Sequence, residues 1–149
     1  LEWRTIYENV LLGLEINHQL TPARIKSVHQ MLNDYGLEQF KNARPSQLSG
    51  GMRQRAALIR TLALNPGLLL LDEPFSALDY QTDAYIRKQI REYRANTMTV
   101  TIAQRVSSVM QSDLILVLED GKVIGQGTHA QLMEQCETYR EISKSQMGE

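Results

Sequence analysis

The sequence predicts an α/β fold in two parts: a helical subdomain over residues 1–65, then part of a parallel-sheet core over residues 66–149. Three observations predict it. Apolar residues recur at helical spacing through the first third of the chain. Four consecutive leucines, Leu68 to Leu71, run into the carboxylate pair Asp72-Glu73, the pattern of a strand buried on both faces of a parallel sheet. After Gly67, β-rich apolar runs alternate with an amphipathic helical pattern, the order that places helices on the faces of a sheet.

Each element has a local reason. Ile6, Val10 and Leu14 share one helix face within residues 1–15. Thr21-Pro22 is an N-cap followed by proline at the first helical position, and Ile25, Val28, Leu32 and Tyr35 form the buried stripe of that second helix. Gly36 stands at its C-terminal end. His29 reads as a solvated helix residue and His18 as part of a polar loop. Residues 37–47 are a connector containing Pro45.

Leu48-Ser49-Gly50-Gly51 then opens a helix of good formers from Met52 to Leu64. Arg53, Arg55 and Arg60 read as its solvated face, with a phosphate or partner contact left open for Arg53 and Arg55. A further helix is expected from Thr82 to Arg94, buried through Ile86, Ile90 and Tyr93, its other face carrying Arg87, Lys88, Arg91, Glu92 and Arg94. That basic run lacks the interleaved aromatics that stack on bases, so a solvated face is the simpler reading and no nucleic acid is expected.

Met98 to Ile102 reads as a strand. Leu114 to Leu118 and Val123-Ile124 read as a hairpin around the turn Glu119-Asp120-Gly121-Lys122. Thr128-x-x-Gln131 is a capping box for one last helix, which holds Cys136 and frays from Ser143.

Composition sets the bounds. The 149 residues suit one domain, and 42% hydrophobic residues suffice for a packed core. A net charge of -1 gives no general pull toward nucleic acid or anionic lipid. The single cysteine offers neither an internal disulfide nor a metal cluster, which fits a reducing compartment. No apolar run approaches the roughly 20 residues of a membrane span, and no charged-then-apolar leader opens the chain.

Two stretches carry chemistry. In Leu48-Ser49-Gly50-Gly51 the serine hydroxyl caps the helix and the glycines admit close approach to backbone N–H groups at its positive end, which suits an anion. The carboxylates Asp72 and Glu73 close an apolar strand, where α/β sheets place ligand chemistry. Alone, the first is equally an ordinary loop-to-helix turn and the second a strand meeting solvent.

In this order, and followed by Ser76-Ala77-Leu78-Asp79, they resemble the nucleotide-binding domain of ATP-binding cassette (ABC) proteins: a signature motif at 48–52 (with Met52 where Gln is usual), a Walker B motif at 68–73 and a D-loop at 76–79. The resemblance covers essentially the whole chain. It implies a P-loop NTPase fold and a parent that couples ATP hydrolysis to transport. It also implies ATP and Mg²⁺ as ligands, and a second nucleotide-binding domain and transmembrane subunits as partners. The location implied is cytoplasmic, at the inner face of a membrane through those subunits. Carried over by residue, Asp72 holds Mg²⁺ through water and Glu73 polarises the attacking water. Ser49, Gly50, Gly51 and Met52 grip the γ-phosphate of a nucleotide held by the opposing subunit, and Asp79 links the two sites.

Departures from the pattern are as informative. The Walker A cradle G-x-x-x-x-G-K-[ST] does not occur: Gly121-Lys122 is followed by Val123, and Leu116 stands where its first glycine belongs. Trp3-Arg4-Thr5 and Glu8-Asn9-Val10 resemble the segment just after the family's Q-loop, so the chain is expected to be the C-terminal half or more of a cassette, inactive alone. The switch position, His in the family, is Gln104 in Thr101-Ile102-Ala103-Gln104-Arg105; glutamine can bond a phosphate but carries no charge.

Residues 1–75 resemble nitrate, sulfonate and taurine importer cassettes, whereas Gln104 and Gly127-Thr128-His129 resemble heterodimeric exporters. The chain therefore reads as a chimera joined within residues 75–82. The rival functions are a non-catalytic scaffold and an ABC ATPase of DNA repair or chromosome maintenance; the long heptad coiled coils that divide the latter are absent. Truncation of the parallel sheet predicts self-association.

Overall fold

The computed structural model describes residues 1–74, 80–93 and 97–147. Within it the chain divides into two compact units, residues 1–100 and 101–149, the division falling inside a strand.

The first unit opens with three helices. α1 (Ile6–Ile16) starts from a capping box, in which the Thr5 hydroxyl accepts from the Glu8 N–H while the Glu8 carboxylate accepts from the Thr5 N–H. α2 (Pro22–Asp34) starts from Thr21 with proline in its first turn, as the sequence predicts. It ends at the C-cap Tyr35, followed by Gly36 at φ 67°, the left-handed conformation that glycine takes at no steric cost. α3 (Gly50–Ala63) follows a connector with two short 3₁₀ turns. It begins two residues before the expected Met52, because Ser49 caps at once and both glycines enter the first turn.

Ile6, Val10 and Leu14 of α1, Val28, Met31 and Leu32 of α2, and Ile59 and Leu62 of α3 form one core with Leu69, Ile86 and Ile90. Gly13 lets α1 and α3 close on each other: a Cβ there would lie 2.9 Å from the Leu64 side chain.

β1 (Leu68–Asp72) pairs with β2 (Met98–Ile102), and α4 (Tyr80–Tyr93) joins the core through Ile86 and Ile90. The pairing starts at the chain crossing, where the Met98 N–H donates to the Gly67 carbonyl (3.1 Å) and the Thr97 hydroxyl to that of Pro66 (3.1 Å). The expectation of a strand buried on both faces is corrected here. Leu69 is buried and Leu71 half-buried, but Leu68 and Leu70 are 51% and 69% exposed. Alternation along the strand sends one pair of leucines to the helices and the other to an open face.

Two readings of polar side chains also change. Arg55 is half-buried and donates to the Tyr35 carbonyl (2.9 Å) instead of standing on a solvated face, whereas Arg53 is exposed as expected while donating to the Leu48 carbonyl (2.6 Å). His29 stacks on Tyr7 with ring centroids 5.0 Å apart and places Nδ1 3.4 Å from the Glu38 carboxylate. Lys41 donates to that same carboxylate, which with the nearby His29 holds Glu38 below the usual carboxylate range.

A depressed carboxyl stabilises the fold above its unfolded value and loses that contribution as pH falls through the folded one. Urea midpoints compared at about pH 7 and about pH 3 are therefore expected to differ less in Glu38→Gln than in the unaltered chain. The difference is small, because the Glu38 and Lys41 side chains are 35% and 36% exposed.

The second unit contains α5 (Val106–Val109), the antiparallel hairpin of β3 (Ile115–Glu119) and β4 (Lys122–Gly127), α6 (His129–Gln135) and α7 (Glu137–Met147). The hairpin turn is Asp120-Gly121, both at positive φ (48° and 74°), which is the two-residue primed geometry that matches strand twist. Ile115 and Val117 face Leu132, Cys136 and Tyr139 in a small core with Val106.

Here the one expected last helix is two. Cys136 is the extended, buried C-cap of α6, not a helix residue, and α7 starts directly after it. Ser143 is buried inside α7 instead of beginning a frayed tail. No helix among the described residues is long and apolar enough to cross a membrane.

Candidate functional site

The residues singled out from the sequence occupy separate elements. Ser49 to Met52 form the N-terminus of α3. The Ser49 hydroxyl accepts from the Met52 N–H (3.3 Å) in cap geometry. Ser49 and Gly50 are exposed, Gly51 and Met52 half-buried. A Cβ at Gly50 would meet nothing within 4 Å. Internal packing therefore does not require glycine there. What glycine leaves is an unobstructed approach to N–H groups at the positive end of a 14-residue helix.

Asp72 ends β1 with an exposed side chain, and Glu73 follows it half-buried. Glu73 has φ 42°, a left-handed conformation uncommon outside glycine, asparagine and aspartate. It breaks the strand at this residue, so the two neighbouring carboxylates do not continue its alternation. Two hard oxygen donors suit Mg²⁺, which keeps several waters and takes few protein ligands. Among the described residues no group of three His, Cys, Asp or Glu side chains gathers to hold a metal, so Asp72 and Glu73 are joined by no third such side chain. Asp79 and the rest of the D-loop lie outside the described residues.

Gln104 belongs to the second unit, in the loop between β2 and α5, and is exposed. Sequence reasoning missed how that loop is held: Gln146, near the end of α7, bonds its main chain at two points. No local signal marks a partner 42 residues away.

The comparisons with known proteins agree with this reading of the motifs. The family model for ABC transporters matches residues 1–76. An uncharacterized ABC transporter ATP-binding protein of Bacillus subtilis, YfiB, is 36% identical over 149 residues, covering 97% of this chain and 26% of its own length. Multidrug resistance protein pgp-1 of Caenorhabditis elegans is 35% identical over 152 residues, 97% of this chain and 12% of its own. A bacterial Atm1-family ABC exporter, solved with ATP bound, superposes with a TM-score of 0.83 at 32% identity, covering 98% of this chain and 26% of the exporter chain. The chain thus spans about a quarter or less of these relatives. With matching motifs, a matching family model and a shared P-loop NTPase fold, it belongs to the ABC transporter family, as a fragment of an ATP-binding domain.

Proposed function

We propose that the chain works as the signature-bearing part of an ATP-binding cassette whose parent couples ATP binding and hydrolysis to transmembrane transport. The open, Ser49-capped N-terminus of α3 carries this reading. In such a site, Ser49, Gly50 and Gly51 bind the γ-phosphate of a nucleotide held by a second nucleotide-binding domain, and Met52 borders it. Asp72 holds Mg²⁺ through water, and Glu73 orients the attacking water. Mg²⁺ supplies charge neutralisation on the phosphates when bound. Gln104 hydrogen-bonds phosphate without adding charge, and Asp79 connects the paired sites. Transport subunits then hold the assembly at the inner face of a membrane.

The test uses this chain with a complete cassette whose Walker B glutamate is changed to glutamine. Association is expected only with Mg-ATP present, and to weaken about tenfold or more in Gly50→Glu, whose carboxylate opposes the phosphate. Association that ignores both nucleotide and the substitution would instead favour the non-catalytic scaffold. Different parentage of the two parts, importer-like before the 75–82 join and exporter-like after it, belongs to the same proposal and rests on the motif resemblances and on Gln104 standing where the family has histidine.

Self-association belongs to the same proposal. Leu68, Leu70 and Met98 are 51%, 69% and 69% exposed on the β1–β2 pair, an apolar face of the kind that recruits another chain. Light scattering at micromolar concentration is expected to show dimers or larger species; a monodisperse monomer sinks the idea.

A further inference from the structure

We infer that Gln146 is a positioning residue for the loop that presents Gln104, clamping its main chain from the C-terminal helix. The Val106 N–H donates to Gln146 Oε1 (2.8 Å), and Gln146 Nε2 donates to the Gln104 carbonyl (2.8 Å). One amide thus spans the main chain on both sides of Arg105. All of these residues lie in the second unit.

The chemistry leaves one orientation for the amide. An N–H can only donate and a carbonyl can only accept, so the oxygen must face Val106 and the nitrogen Gln104. The need for such a clamp is also visible. Val106 is the first residue of α5, and its N–H is one of the donors that a helix start leaves without an intrahelical partner. The N-cap residue, Arg105, makes no side-chain cap bond. Gln146 therefore does from 40 residues away what a Ser, Thr or Asp cap does locally. The Val106 side chain is itself buried in the core that α7 closes with Tyr139, so the loop is pinned by packing below and by the amide above.

With both main-chain groups fixed, the three residues between β2 and α5, Ala103 to Arg105, are held at two points. The clamp makes the orientation of the switch loop depend on the last turn of α7. This rests on the proposal that Gln104 acts on phosphate only for its functional meaning; the clamp itself can be read without nucleotide.

The experiment is amide hydrogen exchange by NMR on the whole chain, with the Cys136 and Arg140 amides, which donate to the Leu132 and Cys136 carbonyls, as references in the same spectra. Gln146→Ala is expected to raise exchange at Val106 roughly five- to tenfold while the references stay within about twofold. Gln146→Glu sets a carboxylate oxygen against the Gln104 carbonyl. It keeps an oxygen that accepts from the Val106 N–H, so Val106 protection is expected to survive in Gln146→Glu while it falls in Gln146→Ala. A loss of packing alone would not separate the two substitutions in that way. Gln104→Ala is expected to leave Val106 protection unchanged, because the clamp uses only the main chain of residue 104. Any effect of Gln104→Ala on a nucleotide-dependent signal therefore belongs to its side chain, and the two ideas can fail separately. Unchanged Val106 exchange in Gln146→Ala, or a rise shared equally by Cys136 and Arg140, overturns the clamp.

Discussion

Purified chain 1–149 is expected to show no measurable ATP turnover, and Gln104→His is expected not to restore it. Most of the binding energy for a nucleoside triphosphate comes from a phosphate cradle, its lysine and the metal they organise. The sequence contains no such cradle, and Asp72 and Glu73 are two carboxylates facing a tetra-anion. Positioning and electrostatic stabilisation are each worth several kcal/mol, so lacking the cradle costs on the order of 10⁴-fold or more in rate. A restored imidazole contributes on the order of 10²- to 10⁴-fold, and only in a site otherwise complete. The check is phosphate release at millimolar ATP and Mg²⁺ from the unaltered chain, Gln104→His and Glu73→Gln. Steady turnover abolished by Glu73→Gln would mean a phosphate site within these 149 residues.

The second large effect is on stability. Leu62 is 0% exposed in the core that joins α1, α2 and α3. Leu62→Ala removes buried methyl groups and leaves a cavity, at a cost of about 2–5 kcal/mol. A domain of this size has about 5–15 kcal/mol to lose, so the variant is expected to unfold at a markedly lower urea midpoint. Leu70→Ala is the control: on the open face of β1 the same deletion is expected to cost under about 0.5 kcal/mol. Equal midpoints for the two variants would show that β1 buries both its faces in solution, as self-association through that face would produce.

The reading from residues succeeded where the determinants are local. Thr21-Pro22, Thr128-x-x-Gln131 and Ser49 cap the helices they were expected to cap, because an N-cap satisfies N–H groups within three residues of itself. Asp120-Gly121 makes the expected hairpin, since two adjacent positive φ angles require residues of that type. The motif order at 48–52 and 68–73 was enough to place the chain in its family, because phosphate and metal chemistry demand particular groups at particular spacings.

What the sequence could not decide depends on partners distant along the chain. Four leucines in a row specify a strand but not what lies over it, and tertiary structure left Leu68 and Leu70 bare while burying Leu69. Arg55 looks solvated until the Tyr35 carbonyl, 20 residues away, comes within reach. His29 has no visible partner until Tyr7 and Glu38 arrive from other elements. The hold of Gln146 on the Gln104 loop belongs to the same class. Caps, turns and periodicity were legible because their energies are set within one turn of the chain. The destination of each long polar side chain, and the cover over each strand face, were set only when the chain folded back on itself.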